Sequence, residues 1–293
     1  MSYNFEVESG KTVKFPVGGK YCDRDIVVSA TGGGGGTDEF FEKYMARSFT
    51  EFESDTTYPI RYGMFRMNRQ LVRVSFPNST VVEDEAFRFD GSLEEVELPK
   101  AEHFYSYAFA GCAKLKRLNV PSLRIMRGNT LNQCTALEDF PYFGNLEEIN
   151  GYEFRQCPIK QKVWDFESLT KIGAQYPFSE ASAEVVIFRK SFTLPDRTFC
   201  NMANLKVVDL HKASRIGRYA FQNSPNFETL ILRDTESIFD AANRDVLTTN
   251  TNYYVYVPAA LLDTYKAASN WAVAPERFRA IEDYPDITGG IYD

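Results

Sequence analysis

The chain has 293 residues, enough for one large or two medium domains with a substantial core. Its aromatic content of 15%, with 24 Phe and 17 Tyr, excludes a disordered composition. A net charge of −7 excludes nucleic acid as the main partner, and no apolar run is long enough to insert into a membrane.

In chain order, residues 1–31 read as a small β attachment module. VKFPVGGKYCDRDIVVSA alternates apolar and polar residues around a GGK turn, as a β-hairpin does. The start lacks an apolar h-region, so the expectation is a protein made in the cytoplasm without a secretory signal. GKT at 10–12 resembles the end of a phosphate-binding loop. That motif needs a glycine where Phe5 stands and a helix where VKFPV follows, so the segment reads as a turn before a strand. GGGGG at 32–36 is a flexible linker. Residues 37–48 form an N-terminal capping helix, with Thr37 as N-cap and Phe40, Phe41, Tyr44 and Met45 along one side.

From 49 to 258 the chain repeats. Phe65, Phe87, Phe109, Leu131, Phe154, Phe178, Phe199 and Phe221 follow one another at intervals of 22, 22, 22, 23, 24, 21 and 22 residues. Phe49, Leu71, Leu93, Leu115 and Leu137 keep a second ladder, resumed at Leu205 and Phe227. Ile60, Val82, Phe104, Ile149, Ile172, Ile216 and Ile238 form a third. Three apolar ladders in one repeat mean three inward lines, as a stack of about nine coils requires.

Within each unit a period-2 segment such as LVRVSF (71–76), LEEVEL (93–98) or LKVVDL (205–210) is a short strand. Pro77, Pro99 and Pro121 end three of these strands, because proline cannot donate to a ladder. The Ala-Phe segment then makes a turn or single helical turn. Between 159 and 204 the leucine register is lost, which predicts a kink or loop excursion. YYVYVP at 253–258 is the last strand, and 259–293 is a C-terminal capping helix and tail with Leu261, Leu262, Tyr265, Ala268 and Trp271 facing inward.

Cys112, Cys134 and Cys157 fall 22 and 23 residues apart, so they stack as small buried thiols rather than forming a disulfide framework. No CxxC pair occurs and the two histidines, His103 and His211, read as structural or solvated; neither a metal site nor a cofactor is expected. Carboxylate pairs such as Glu94–Glu95 sit in strand contexts, where solvated faces are the ordinary reading, and no catalytic motif is present. The chain reads as a non-enzyme.

The third and fifth strand positions point away from the core. They nominate Arg73, Glu95, Arg117, Asp139, Asp209, Tyr254 and Tyr256 as a ligand-binding face. Down the stack one column runs Arg, Glu, Arg, Asp, and two readings attach to it. Alternating charge is what neighbouring strands need for their own pairing, and it is also a polar face with tyrosines at one end, suited to a glycan or protein.

AFAGCAKLKRLNVP at 108–121, with KIGAQYPF at 171–178 and RIGRYAF at 215–221, resembles the BspA-type leucine-rich repeat over about 210 residues. The resemblance implies a repeat solenoid, β-rich α/β, of units of about 22 residues with helical caps. The order of β module, glycine linker, helix, repeats and a terminal VPAALLDTYKAASNW is similar to minor tail proteins of phages of Gram-positive bacteria. That likeness implies a virion location and, as partner, a host cell-surface glycan or protein or another virion protein. A bacterial cell-surface adhesin of the same repeat family and an intracellular interaction scaffold or inhibitor are the alternatives.

Overall fold

The computed structural model describes residues 12–14, 27–29, 50–54, 57–140, 142–173, 176–248 and 253–289. The sequence's glycine linker, its N-terminal capping helix and Phe49 lie outside the described residues. The chain divides into two compact units, Met1–Leu123 with Thr130–Pro141 and Arg124–Asn129 with Tyr142–Asp293.

In the first unit, β1 (Thr12–Lys14) pairs antiparallel with β2 (Val27–Ser29). The repeats contribute β3 (Glu51–Glu53), β4 (Arg73–Ser75), β5 (Val81–Val82), β6 (Glu95–Glu97), β7 (His103–Phe104) and β8 (Arg117–Asn119). β3, β4, β6 and β8 pair in parallel in that order, so Arg73, Glu95 and Arg117 stand side by side. β5 and β7 form a second parallel pair. Parallel neighbours need a long return connection, and here each return is one coil of the repeat.

The second unit holds β9 (Ile125–Met126), β10 (Glu148–Ile149), β11 (Val163–Phe166), β12 (Lys171–Ile172), β13 (Val185–Leu194) and β14 (Val207–Ile216). After these come β15 (Thr229–Leu232), β16 (Asp240–Ala241), β17 (Tyr254–Val257) and β18 (Phe278–Ala280). β11, β13, β14, β15, β17 and β18 are parallel neighbours in that order, and β9, β10 and β12 line up in a second parallel set. The fold is therefore a repeat solenoid of parallel strands with little helix.

All three ladders face the core, apart from two positions: Phe49, which is not described, and Ile238, which is half-buried while Phe239 beside it takes the inward place. The leucine ladder does not lapse where its leucines do: Ile159 and Ala183 occupy the register and are buried. Met126 and Leu194 fill the two vacant positions of the third. The anchor phenylalanines stack face to face, Phe65 on Phe87 at 5.0 Å and Phe87 on Phe109 at 4.8 Å in the first unit. In the second, Phe178, Phe199 and Phe221 follow at 5.7 and 5.6 Å. Such pairs add about 0.5–1.5 kcal/mol each beyond the area they bury.

The Ala-Phe segment is a turn framed by two left-handed residues four positions apart, not a helical turn. The first column is Gly63, Glu85, Tyr107, Asn129, Tyr152, Tyr176, Arg197 and Tyr219; the second is Met67, Phe89, Gly111, Gln133, Gln156, Glu180, Asn201 and Asn223. This geometry aims each turn's amides at the next coil: Phe65 N donates to Ala86 O, Phe87 N to Ala108 O and Phe199 N to Ala220 O. The Cys column sits just behind. Cys112 Sγ donates to Phe87 O and Cys134 Sγ to Phe109 O, and Ser224 Oγ does the same to Phe199 O. Burial pushes the Cys112 thiol well above its ordinary value. These cysteines are buried thiols outside any disulfide, as is Cys157 in its own unit.

In the stretch where a kink or loop excursion is expected, β13 runs ten residues and its pairing with the ten-residue β14 shifts register between Phe188 and Ser191 and between Phe192 and Thr193. A substitution at the corner permits this without enforcing it, since β11 and β15 also lack the proline and end there. Pro77, Pro99 and Pro121 are replaced there by Arg189 and His211, and a residue with an N–H lets the strand continue.

Two C-terminal expectations change. β17 is not the last strand, since β18 pairs with it in parallel. After a 3-10 turn over Ala259–Leu261, the capping helix is the short α-helix Leu262–Ala267, of which Tyr265 is the buried member. Tyr265 Oη accepts from Phe239 N, and Trp271 Nε1 donates to Phe239 O, so these two rings close the edge. Leu261, Leu262 and Ala268 are half-buried at most.

Candidate functional site

The inward and outward positions of each strand divide as the alternation predicts in the first unit. Val74, Val96 and Leu118 are buried between flanking outward residues. Arg73 and Arg117 both reach Glu95, at 4.0 and 3.2 Å, and Glu51 stands next to Arg73 in register. Beside this column Lys116 Nζ meets Glu94 at 2.8 Å, which holds that carboxyl below its ordinary value, and Asn119 Nδ2 donates to Glu97. Asp139 is exposed too, but it lies outside the strands. The face is solvated and its charges alternate.

The second unit departs from the expectation, and two nominated residues are corrected. Asp209 is fully buried. Arg233 grips it with two nitrogens, Nε at 2.8 Å and Nη2 at 2.7 Å. Tyr256 is only 7% exposed, whereas Tyr254 keeps 46%. The physical reason is that the outer positions here are largely apolar: Val207, Ile231 and Tyr256 form a cluster with Val185. The chain after β18 folds back over it, through Ile281 and Ile287, and Tyr284 meets Tyr256 edge-on at 5.3 Å. Arg279 covers Tyr254, its guanidinium 4.6 Å from the ring centre. The tail therefore covers the sheet's outer face, a role distinct from capping.

Next to this covered face runs the charged corner. Glu167, Arg189, His211 and Arg233 occupy the position that proline holds at 77, 99 and 121. Arg189 binds Asp165 through Nε at 2.8 Å and Nη2, and Tyr142 Oη donates to Glu167 at 2.7 Å. His211 Nε2 lies 3.8 Å from Asp209 Oδ1, too far for a hydrogen bond, and burial lowers its proton affinity. A carboxylate already held by an arginine does not orient an imidazole for general-base work. The corner is an ion-pair network that joins successive coils.

The seven nominated residues are thus divided among three settings. Arg73, Glu95 and Arg117 share one face, Asp139 stands apart from strands in the same unit, and Asp209, Tyr254 and Tyr256 belong to the second unit. Arg189, Arg233 and Asp165 were not nominated. Their signal was the loss of proline at the corner. Among the described residues no group of three or more His, Cys, Asp or Glu side chains could hold a metal ion, and no helix is long and apolar enough to cross a membrane.

The family profile described as "BspA type Leucine rich repeat region" matches residues 58–176 and 165–245, in six copies. Among solved structures, a leucine-rich repeat protein of T. pallidum is 21% identical, with 60% of this chain and 82% of that one covered and a TM-score of 0.44. A leucine-rich repeat protein of Bacteroides ovatus is 18% identical, with 91% of each chain covered and a TM-score of 0.42. The pneumococcal vaccine antigen PcpA is 16% identical, with 78% and 76% covered and a TM-score of 0.28. No curated protein matches the chain.

Proposed function

The chain belongs to the BspA type leucine-rich repeat family, and on that premise we propose that it is a non-catalytic binding protein of a phage tail or baseplate. Its repeats contact a host-surface glycan or protein, or another protein of the particle. The observation that carries the binding reading is a contrast between the units: the second covers its outer face with its own tail, while in the first Arg73 and Arg117 are exposed and Glu95 between them is half-buried. Rim charges of this kind steer encounters and select partners more than they add affinity. The phage assignment is supported by the order of segments in the sequence.

Labelled full-length chain, applied to a panel of Gram-positive cells, is expected to bind a restricted set of strains. Arg73→Glu with Arg117→Glu is expected to slow that association by about tenfold or more at low salt. Antibody detection in purified phage particles tests the location. Absence from particles together with no binding to any strain rejects the proposal. Binding to cells without presence in any particle replaces the phage reading with an adhesin.

A further inference from the structure

The second left-handed column separates the two units. In the second unit it holds Gln156, Glu180, Asn201 and Asn223. The last two belong to a residue type that tolerates this backbone, and Asn223 Nδ2 donates to Asn201 Oδ1 along the column. In the first unit the same column begins Met67, Phe89, Gly111. Met67 is 50% and Phe89 42% exposed, and Tyr62 next to the first column is 62% exposed. Large apolar side chains are thus held at positive φ with half their surface in water.

Neither property helps the fold. A left-handed backbone disfavours bulky side chains, and exposed apolar surface gains nothing from burial. The surroundings are nevertheless arranged around Phe89. Its ring lies where a Cβ at Gly111 would have to be, so that glycine, at φ +76 like its column mates at positive φ, leaves the space the ring occupies. Met67 N donates to Arg88 O and Phe89 N to Ala110 O, which sets Met67 and Phe89 on adjacent coils.

Glu83 accepts from Tyr62 N at one edge of this surface, while the charges around Glu85 are unbalanced. Arg66 and Arg88 both pair with the single carboxylate of Glu85, at 2.9 and 2.7 Å. Arg88 also lies over the rings of Phe89 and Tyr107, at 4.9 and 4.4 Å. Two guanidinium groups on one carboxylate leave a positive charge at Glu85, and both arginine side chains keep part of their surface in solvent. Met, aromatic residues and Arg are the types that dominate protein contacts.

We propose that Tyr62, Met67 and Phe89, with Arg66 and Arg88, form a docking patch for a protein segment that carries carboxylates beside apolar side chains. The apolar groups of the segment cover Met67 and Phe89, and a carboxylate answers the surplus guanidinium charge. This rests on the reading of the chain as a binding protein but places the anchor on the turn face, away from Arg73, Glu95 and Arg117.

The test uses the full chain and short labelled synthetic peptides of three kinds: acidic with Leu and Phe, lysine-rich with the same Leu and Phe, and acidic with Ser. The acidic–apolar peptides are expected to bind, and Met67→Asn with Phe89→Asn to weaken them by roughly thirtyfold. Asparagine fits the left-handed backbone, so the double variant keeps the fold, which circular dichroism and the thermal midpoint verify. Equal binding of the lysine-rich or serine peptides, or no effect of the double variant, overturns the patch. If the peptides fail while wild type and double variant label cells alike, the patch is wrong and the binding function stands. If the peptides fail, no cells are labelled and the chain is absent from purified particles, both readings fall.

Discussion

The two units are built from one repeat and one kind of core, yet they treat their outer strand faces in opposite ways. Position five of the strand is Glu97 in the first unit, half-buried at the surface and bonded to Asn119. In the second it is Asp209, buried and locked to Arg233. Position three is Glu95 in one and Val207 in the other, the latter beneath the returning tail. The inner ladders are alike because stacking coils admits only apolar, shape-matched columns. The outer face carries no such constraint, so each unit is free to use it for solvent or for packing.

The largest expected effects lie in what the units share. Phe109→Ala and Phe199→Ala each remove a ring that stacks on its neighbour, and each is expected to cost about 3–5 kcal/mol in urea unfolding. A much smaller loss in one unit would show that its core is less tightly packed than the stacking distances imply.

Next comes the position where the units differ most. Asp209→Asn leaves Arg233 without its carboxylate in a buried setting and is expected to cost about 3–5 kcal/mol. Glu97→Gln, at the same strand position, is expected to change stability by about 0.5 kcal/mol or less. Equal losses from the two substitutions would show that the two units do not differ at this position.

A smaller effect tests the tail. Ile287→Asp puts a charge against the Val207–Ile231–Tyr256 cluster and is expected to cost about 1–2 kcal/mol, with increased binding of a hydrophobic dye. Among the described residues the first unit offers no counterpart.

The smallest effect is a pH dependence. Burial lowers the pKa of His211 below its ordinary 6.5. The unfolded chain therefore binds a proton that the folded chain resists, and stability is complete above pH 6.5 and declines as pH falls below it. His211→Gln is expected to flatten the urea midpoint between pH 7 and 5 relative to wild type. An unchanged slope would show that His211 contributes nothing to it.

Much of this architecture was legible in the sequence. The phenylalanine register located each coil, and the spacing of Cys112, Cys134 and Cys157 at the repeat period located buried thiols. Pro77, Pro99 and Pro121 marked the strand ends. The candidate face was legible only in part. Alternation says that Arg73, Glu95 and Arg117 point away from the core, which they do. It says the same of Asp209 and Tyr256, where it misleads, because pointing away from one core does not exclude entering a second packed layer. Nothing local in DLHK or YVYV announces that residues 281–287, far along the chain, lie on top.

The sequence by itself determined the period, the inward ladders and the family, because a coil that cannot bury its own apolar face must repeat its pattern to survive. Only the tertiary structure decided which outer face stays wet. Exposure is a property of what else packs there, and that depends on long-range contacts: Arg233 with Asp209 and Ile287 over Val207. The left-handed column was likewise hidden, since Met67 and Phe89 are residues that no turn rule would place at positive φ.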